Sequence, residues 1–78
     1  MDIAGVLVHV KPSAVDLVAE CLGRLPGVEI HARTQDSRFV VTIEDDGHGG
    51  VSDTLSQVNT IQGVLSAAMV YQHAEDEQ

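Results

Sequence analysis

The chain has 78 residues, with four Lys plus Arg against twelve Asp plus Glu, a formal net charge of −8, 44% hydrophobic residues, one Cys and no Trp. At this length a folded chain buries only about 60% of the surface it exposes unfolded, so one thin-cored domain is expected and a deep enzymatic cleft with a buried catalytic constellation is not. Four cations among twelve acids cannot lay a basic stripe along a phosphate backbone or an anionic lipid surface, which excludes nucleic acid and favours a cationic partner.

Ile3 to Val10 is a Val- and Ile-rich run with Gly5 inside it, and it reads as the first strand. Met1-Asp2 carries no basic stretch ahead of that run, and no segment approaches the ~20 apolar residues of a membrane span, so a cytoplasmic location without membrane insertion is expected. Pro12 and Ser13 then open a helix. Proline suits a first helical turn, Ser13 followed by Asp16 resembles a capping box, and Ala14, Leu17, Val18, Cys21, Leu22 and Leu25 recur at helical spacing. The lone Cys21 has no partner for an internal disulfide and falls on the apolar stripe, which assigns it to the core as an unreactive thiol. Pro26-Gly27 ends the helix.

Val28 to Thr34 and Arg38 to Glu44 are two alternating runs joined at Gln35-Asp36-Ser37, the pattern of a hairpin. Asp45-Asp46-Gly47-His48-Gly49-Gly50 is a loop by composition. It lacks the Lys-Ser or Lys-Thr that follows the glycines of a phosphate-binding loop, and its acids would repel phosphate. Val51, Leu55, Val58 and Ile61 carry the stripe of a second helix ending near Gly63, and the last strand runs from Val64 to about His73. Residues 74–78 read as a disordered acidic tail.

The order strand, helix, strand, strand, helix, strand predicts a single α+β domain over residues 1–78. The two halves rhyme, because Leu25-Pro26-Gly27-Val28 and Ile61-Gln62-Gly63-Val64 each pass from a helix through Gly into a strand. That repeat is a ferredoxin-like βαββαβ sandwich, whose right-handed crossovers put both helices on one face of an antiparallel sheet of order 4-1-3-2 and leave the other face open.

Apolar content assigns Ala4, Val6, Val8, Val10, Val28, Ile30, Ala32, Phe39, Val41, Ile43, Leu65, Ala67, Met69 and Tyr71 to the helix-covered face. Ile3, Gly5, Leu7, His9, Glu29, His31, Arg33, Val40, Thr42, Ser66, Ala68 and Val70 then lie on the open one. Gly5, Ser66 and Ala68 are small, so a shallow apolar trough is expected across the first and fourth strands, fit for an amphipathic helix or an extended peptide. Antiparallel topology gathers Asp2, Glu29, Glu44, Asp45, Asp46 and Glu75-Asp76-Glu77 at one end of the sheet and Lys11, Arg33 and Arg38 at the other. If the hairpin pairs residues summing to 73, Glu29 faces Glu44, a repulsive pair suited to bridging by an arginine guanidinium. His9, His31, His48 and His73 are too dispersed for a metal motif, and no cofactor signature is present.

Leu25-Pro26-Gly27-Val28-Glu29, Phe39-Val40-Val41-Thr42-Ile43-Glu44 and the run from Ile61 to His73, with its Gly-Val-Leu start and Val-Tyr-x-His finish, together resemble the NapD family. The resemblance implies a cytoplasmic ferredoxin-like chaperone that catalyses nothing. Its partner would be the twin-arginine signal peptide of the catalytic subunit of a periplasmic nitrate reductase, held while the molybdenum cofactor is inserted and restrained from premature export. Such a peptide, basic and then apolar, is the complement of an acidic rim beside an apolar trough. On this reading Ile3, Gly5, Leu7, Val40, Thr42, Ala68 and Val70 receive its apolar face, and Glu29, Glu44 and Asp45 its arginines. The competing expectation is a dimeric regulatory or small-ligand or metal-binding domain of similar fold, self-associated through the same open face.

Overall fold

The computed structural model describes residues 2–45 and 50–74, so the readings for Asp46, Gly47, His48 and Gly49 and for residues 75–78 of the tail lie outside it, while Ala74, read with that tail, ends the last strand opposite Asp2. The elements run β1 (Asp2–Val10), a 3-10 turn (Pro12–Ala14), α1 (Val15–Arg24), β2 (Val28–Arg33), β3 (Arg38–Asp45), α2 (Val51–Asn59) and β4 (Val64–Ala74). The four strands form one antiparallel sheet in the order β2-β3-β1-β4, the ferredoxin-like arrangement expected from the repeat.

The rhyme between the halves is a pair of matching turns. The Val28 amide donates to the Leu25 carbonyl at 3.3 Å and the Val64 amide to the Ile61 carbonyl at 3.1 Å. Gly27 and Gly63 stand third in these turns with φ of 79° and 102°, the conformation a type II turn demands there and L side chains resist. The capping box does not form: α1 starts from Ala14 without a side-chain cap. Pro12 opens a 3-10 turn that leads into the helix, held by the Ala14 amide on the Lys11 carbonyl at 2.9 Å, and Pro itself has no N–H to satisfy.

The core is one layer between helices and sheet. Ala4, Val6, Val8 and Val10 of β1 and Phe39, Val41 and Ile43 of β3 meet Val18 and Leu22 of α1 and Val51 and Val58 of α2. Val28, Ile30, Val64 and Ala67 pack around its margin. Each valine buried there is worth about 1.5–3 kcal/mol over exposure. Cys21 is half-buried and stays outside this fully buried set.

The two central strands hold the alternation expected of them, and the two edge strands break it. β2 carries an irregularity between Ile30 and Ala32: Glu29 pairs with Thr42 and Ile30 with Val41, but Ala32 pairs with Val40 and Arg33 with Phe39. An extra residue on one strand shifts the phase of everything beyond it. Ala32 therefore moves to the open face and is exposed, while Arg33 moves to the helix side. There the Arg33 guanidinium donates to Asp16 Oδ1 on α1 at 2.8 Å and lies 5.8 Å from the Phe39 ring centroid.

β4 shifts twice, between its partners Gly5 and Val6 and between His9 and Val10, which leaves Val70 and Leu65 as extra residues. Leu65 and Tyr71, expected in the core, are 55% and 52% exposed, and Met69 is only partly covered at 37%. In the β2–β3 turn Ser37 adopts φ 63°. The Thr34 hydroxyl donates to the Asp36 carboxylate, and that bond, helped by Arg38, holds Asp36 below the usual carboxylate range.

Candidate functional site

Because the even residues of β1 and the odd residues of β3 are buried under the helices, Ile3, Gly5, Leu7 and His9 and Arg38, Val40, Thr42 and Glu44 stand on the opposite face. Strand register sets that face in rows across the sheet. Glu44, Ile3 and His73 form the first row, Glu29, Thr42, Gly5 and Tyr71 the second, Ala32, Val40, Leu7 and Ala68 the third, and Arg38, His9 and Ser66 the fourth. No helix of the described residues covers them.

The third row is apolar from edge to edge, and Val40 within it is 40% exposed. Toward the strand ends that hold Glu29 and Glu44 the face becomes acidic. The summing-to-73 register is not the one formed. Glu29 lies opposite Thr42, and the Glu44 amide donates to the Gly27 carbonyl at 2.8 Å, so the two glutamates are diagonal neighbours on one face. Diagonal positions are about 7–8 Å apart, which relieves the repulsion a direct pair would suffer. His31 Nε2 sits 2.8 Å from Thr42 Oγ1 and 3.9 Å from Glu29 Oε1, placing an imidazole beside the acidic patch. At the other end Arg38 lies 3.5 Å from Asp36, so its charge is met within its own turn.

Of the residues expected to receive a peptide, Ile3, Gly5, Leu7, Glu29, Val40, Thr42, Glu44 and Ala68 do share the open face. Asp45 does not. Alternation turns it toward the helix layer, and its Oδ1 accepts the Gly50 amide at 3.1 Å, tying the end of β3 to the start of α2. Val70 is the extra residue of a β4 irregularity and is 62% exposed.

The trough expected at Gly5 is filled. Tyr71 pairs with Gly5, and a Cβ placed on Gly5 would overlap the Tyr71 ring, so the ring occupies the space above the glycine, which is buried. Tyr71 is thus the residue of this face that periodicity alone misses. Two signals pointed to it: a phenol hydroxyl finds no partner in a core of Val and Ala, and a glycine inside a strand marks the close approach of another group. Among the described residues no cluster of His, Cys, Asp and Glu is disposed to hold a metal ion, and no helix is long and apolar enough to cross a membrane.

The molecule is an α+β sandwich of ferredoxin-like topology with both helices on one side and a bare sheet on the other, apolar in the row through Val40, Leu7 and Ala68 and carrying Glu29 and Glu44 toward one end. The chain belongs to the NapD protein family, whose model matches residues 1–76. Its fold is similar to that in the solution structure of the E. coli Tat proofreading chaperone protein NapD, with a TM-score of 0.81 at 23% identity over 97% of this chain and 80% of that one. No curated protein matches it in sequence.

Proposed function

We propose that this protein is a cytoplasmic proofreading chaperone that holds the twin-arginine signal peptide of a periplasmic nitrate reductase catalytic subunit on its open sheet face while the cofactor is inserted. The observation that carries the reading is the adjacency, on one uncovered face, of the apolar row through Val40, Leu7 and Ala68 and the glutamates Glu29 and Glu44, in a chain of net charge −8. Family membership and the likeness to a Tat proofreading chaperone support it.

Binding here is occlusion, and no bond is made or broken. The apolar segment of the guest lies across Ile3, Leu7, Val40 and Ala68, with Thr42 beside them, while Gly5 lies beneath the Tyr71 ring. Its arginines reach toward Glu29 and Glu44, where guanidinium and carboxylate make charge-assisted, directional contacts. The guest orders on docking, an entropic cost that keeps affinity modest and release feasible. Asp45 stays with the Gly50 amide and takes no part.

The double variant Glu29→Gln, Glu44→Gln is expected to weaken a twin-arginine peptide by about three- to tenfold, the scale of two exposed ion pairs, and to flatten the dependence of affinity on salt. Fluorescence anisotropy of a labelled peptide at several salt concentrations measures both. Unchanged affinity and an unchanged slope would remove the glutamates from the site.

A further inference from the structure

Tyr71 is the only tyrosine of the chain and Phe39 the only other aromatic residue, and Phe39 is fully buried. Besides imidazoles, the open face therefore carries one aromatic ring, that of Tyr71, brought there by the extra residue in β4. One side of that ring rests on Gly5, which has no side chain to hold it off, and the residue is 52% exposed. A ring that sits against strand backbone and is still half exposed offers aromatic surface to a guest on the open face.

Its position within the face says what it meets. Tyr71 and Glu29 end the same row, Glu29 on edge strand β2 and Tyr71 on edge strand β4, with Thr42 and Gly5 between them. Three strand spacings separate them, about 14 Å. Glu44 lies one row away toward the same end. Consecutive side chains of an extended segment point to opposite sides, so two neighbouring arginines reach apart in opposite directions. A guanidinium prefers an aromatic face or a carboxylate, and this chain already makes the first kind of contact internally, with Arg33 over Phe39 at 5.8 Å.

We propose that Tyr71 is a specificity-determining residue of the docking face, its exposed ring stacking one guest arginine while Glu29 and Glu44 hold the other. This rests on the signal-peptide reading of the same face and adds to it a second, aromatic station that tells arginine from lysine. A lysine ammonium satisfies a carboxylate but stacks poorly, so the discrimination resides at Tyr71.

The test uses the full chain and a synthetic signal peptide with consecutive arginines and no Tyr or Trp, beside a version with two lysines. Calorimetry with the wild type, Tyr71→Phe and Tyr71→Leu gives affinities for each. The expected result is a two- to fivefold loss (about the worth of an exposed cation–π contact) for the arginine peptide on Tyr71→Leu, little change for the lysine peptide, and arginine preference retained by Tyr71→Phe. Equal losses for both peptides, or none, would overturn the proposal. Because the chain has no Trp, tyrosine emission reports this ring alone. Emission of the wild type must change on docking the arginine peptide, and constant emission during calorimetrically observed binding also overturns the proposal without recourse to a variant. If the wild type binds neither peptide, the chaperone reading falls and takes this one with it, an outcome separate from binding that ignores Tyr71.

Discussion

Phe39→Ala is expected to cost about 3–5 kcal/mol, against a total stability of about 4–12 kcal/mol for a domain of 78 residues. Phe39 is fully buried at the start of β3, opposite Val8 on one side and Arg33 on the other. It is the one aromatic ring in a core built otherwise of Val, Leu, Ile and Ala. β-branched neighbours have few rotamers with which to fill the space it leaves, so most of its volume becomes cavity. The Arg33 guanidinium loses its ring in the same step, although its exposed ion pair with Asp16 adds little. Urea unfolding followed by circular dichroism measures the loss. A cost below about 1 kcal/mol would mean that the helices do not cover this face of the sheet as described.

The second large effect lies in the turn that joins α2 to β4. Gly63→Ala meets two obstacles at once: a φ of 102° and a Cβ that would come within 2.5 Å of the Ala14 Cβ and 3.3 Å of Val18 Cγ2. The left-handed backbone costs an L residue about 1–2 kcal/mol, and forcing a methyl into packed helix costs about 1–3 kcal/mol more, so a total of about 2–5 kcal/mol is expected. The Gly63 carbonyl also accepts the Lys11 amide at 2.9 Å, so a shift that relieves the overlap loosens the lead into α1. Gly23→Ala is the matched control. It lies in α1 with nothing within 4 Å of its Cβ position, and it is expected to stabilise by about 0.5–1 kcal/mol. Thermal melts of the pair with opposite signs would support the account. Equal, small effects would refute the close packing of the turn against α1.

The fold was legible because its strongest signals are local. The β1 and β3 residues alternate without interruption, and extra residues concentrate on the edge strands, as bulges commonly do. The repeated helix-Gly-strand passage marked both crossovers. What failed were the edges. Irregularities beside His31, Leu65 and Val70 leave no glycine or proline signature in the sequence, yet each one reverses the faces of the residues beyond it. The faces of Arg33, Ala32 and Tyr71 differ from the expectation for that reason; the Glu29 and Glu44 pair is diagonal because paired residues sum to 72 beside the turn and to 71 past the irregularity, where 73 was expected. Asp45 was misread differently. Its position at the acidic end matches the expectation, but its alternation with Glu44 turns it off the open face, where its carboxylate accepts the Gly50 amide and ties β3 to α2.

The consequence for the site is specific. The open-face placement of Leu7 and Val40 follows from the alternation of β1 and β3, and that of Ala68 from the stretch of β4 between its two irregularities. The exposed position of Tyr71 depends on the register of β4, which the structure supplies.

The measurement that bears most directly on the central claim is a calorimetric titration of the purified chain with a twin-arginine signal peptide from a periplasmic nitrate reductase, run beside the same peptide with both arginines replaced by glutamine. The account predicts saturable one-to-one binding of the first and binding at least tenfold weaker for the second. Equal affinity for both peptides would show that the acidic end of the face does not read arginine. Binding of neither, with the chain dimeric by light scattering, would assign the open face to a second copy of the chain instead.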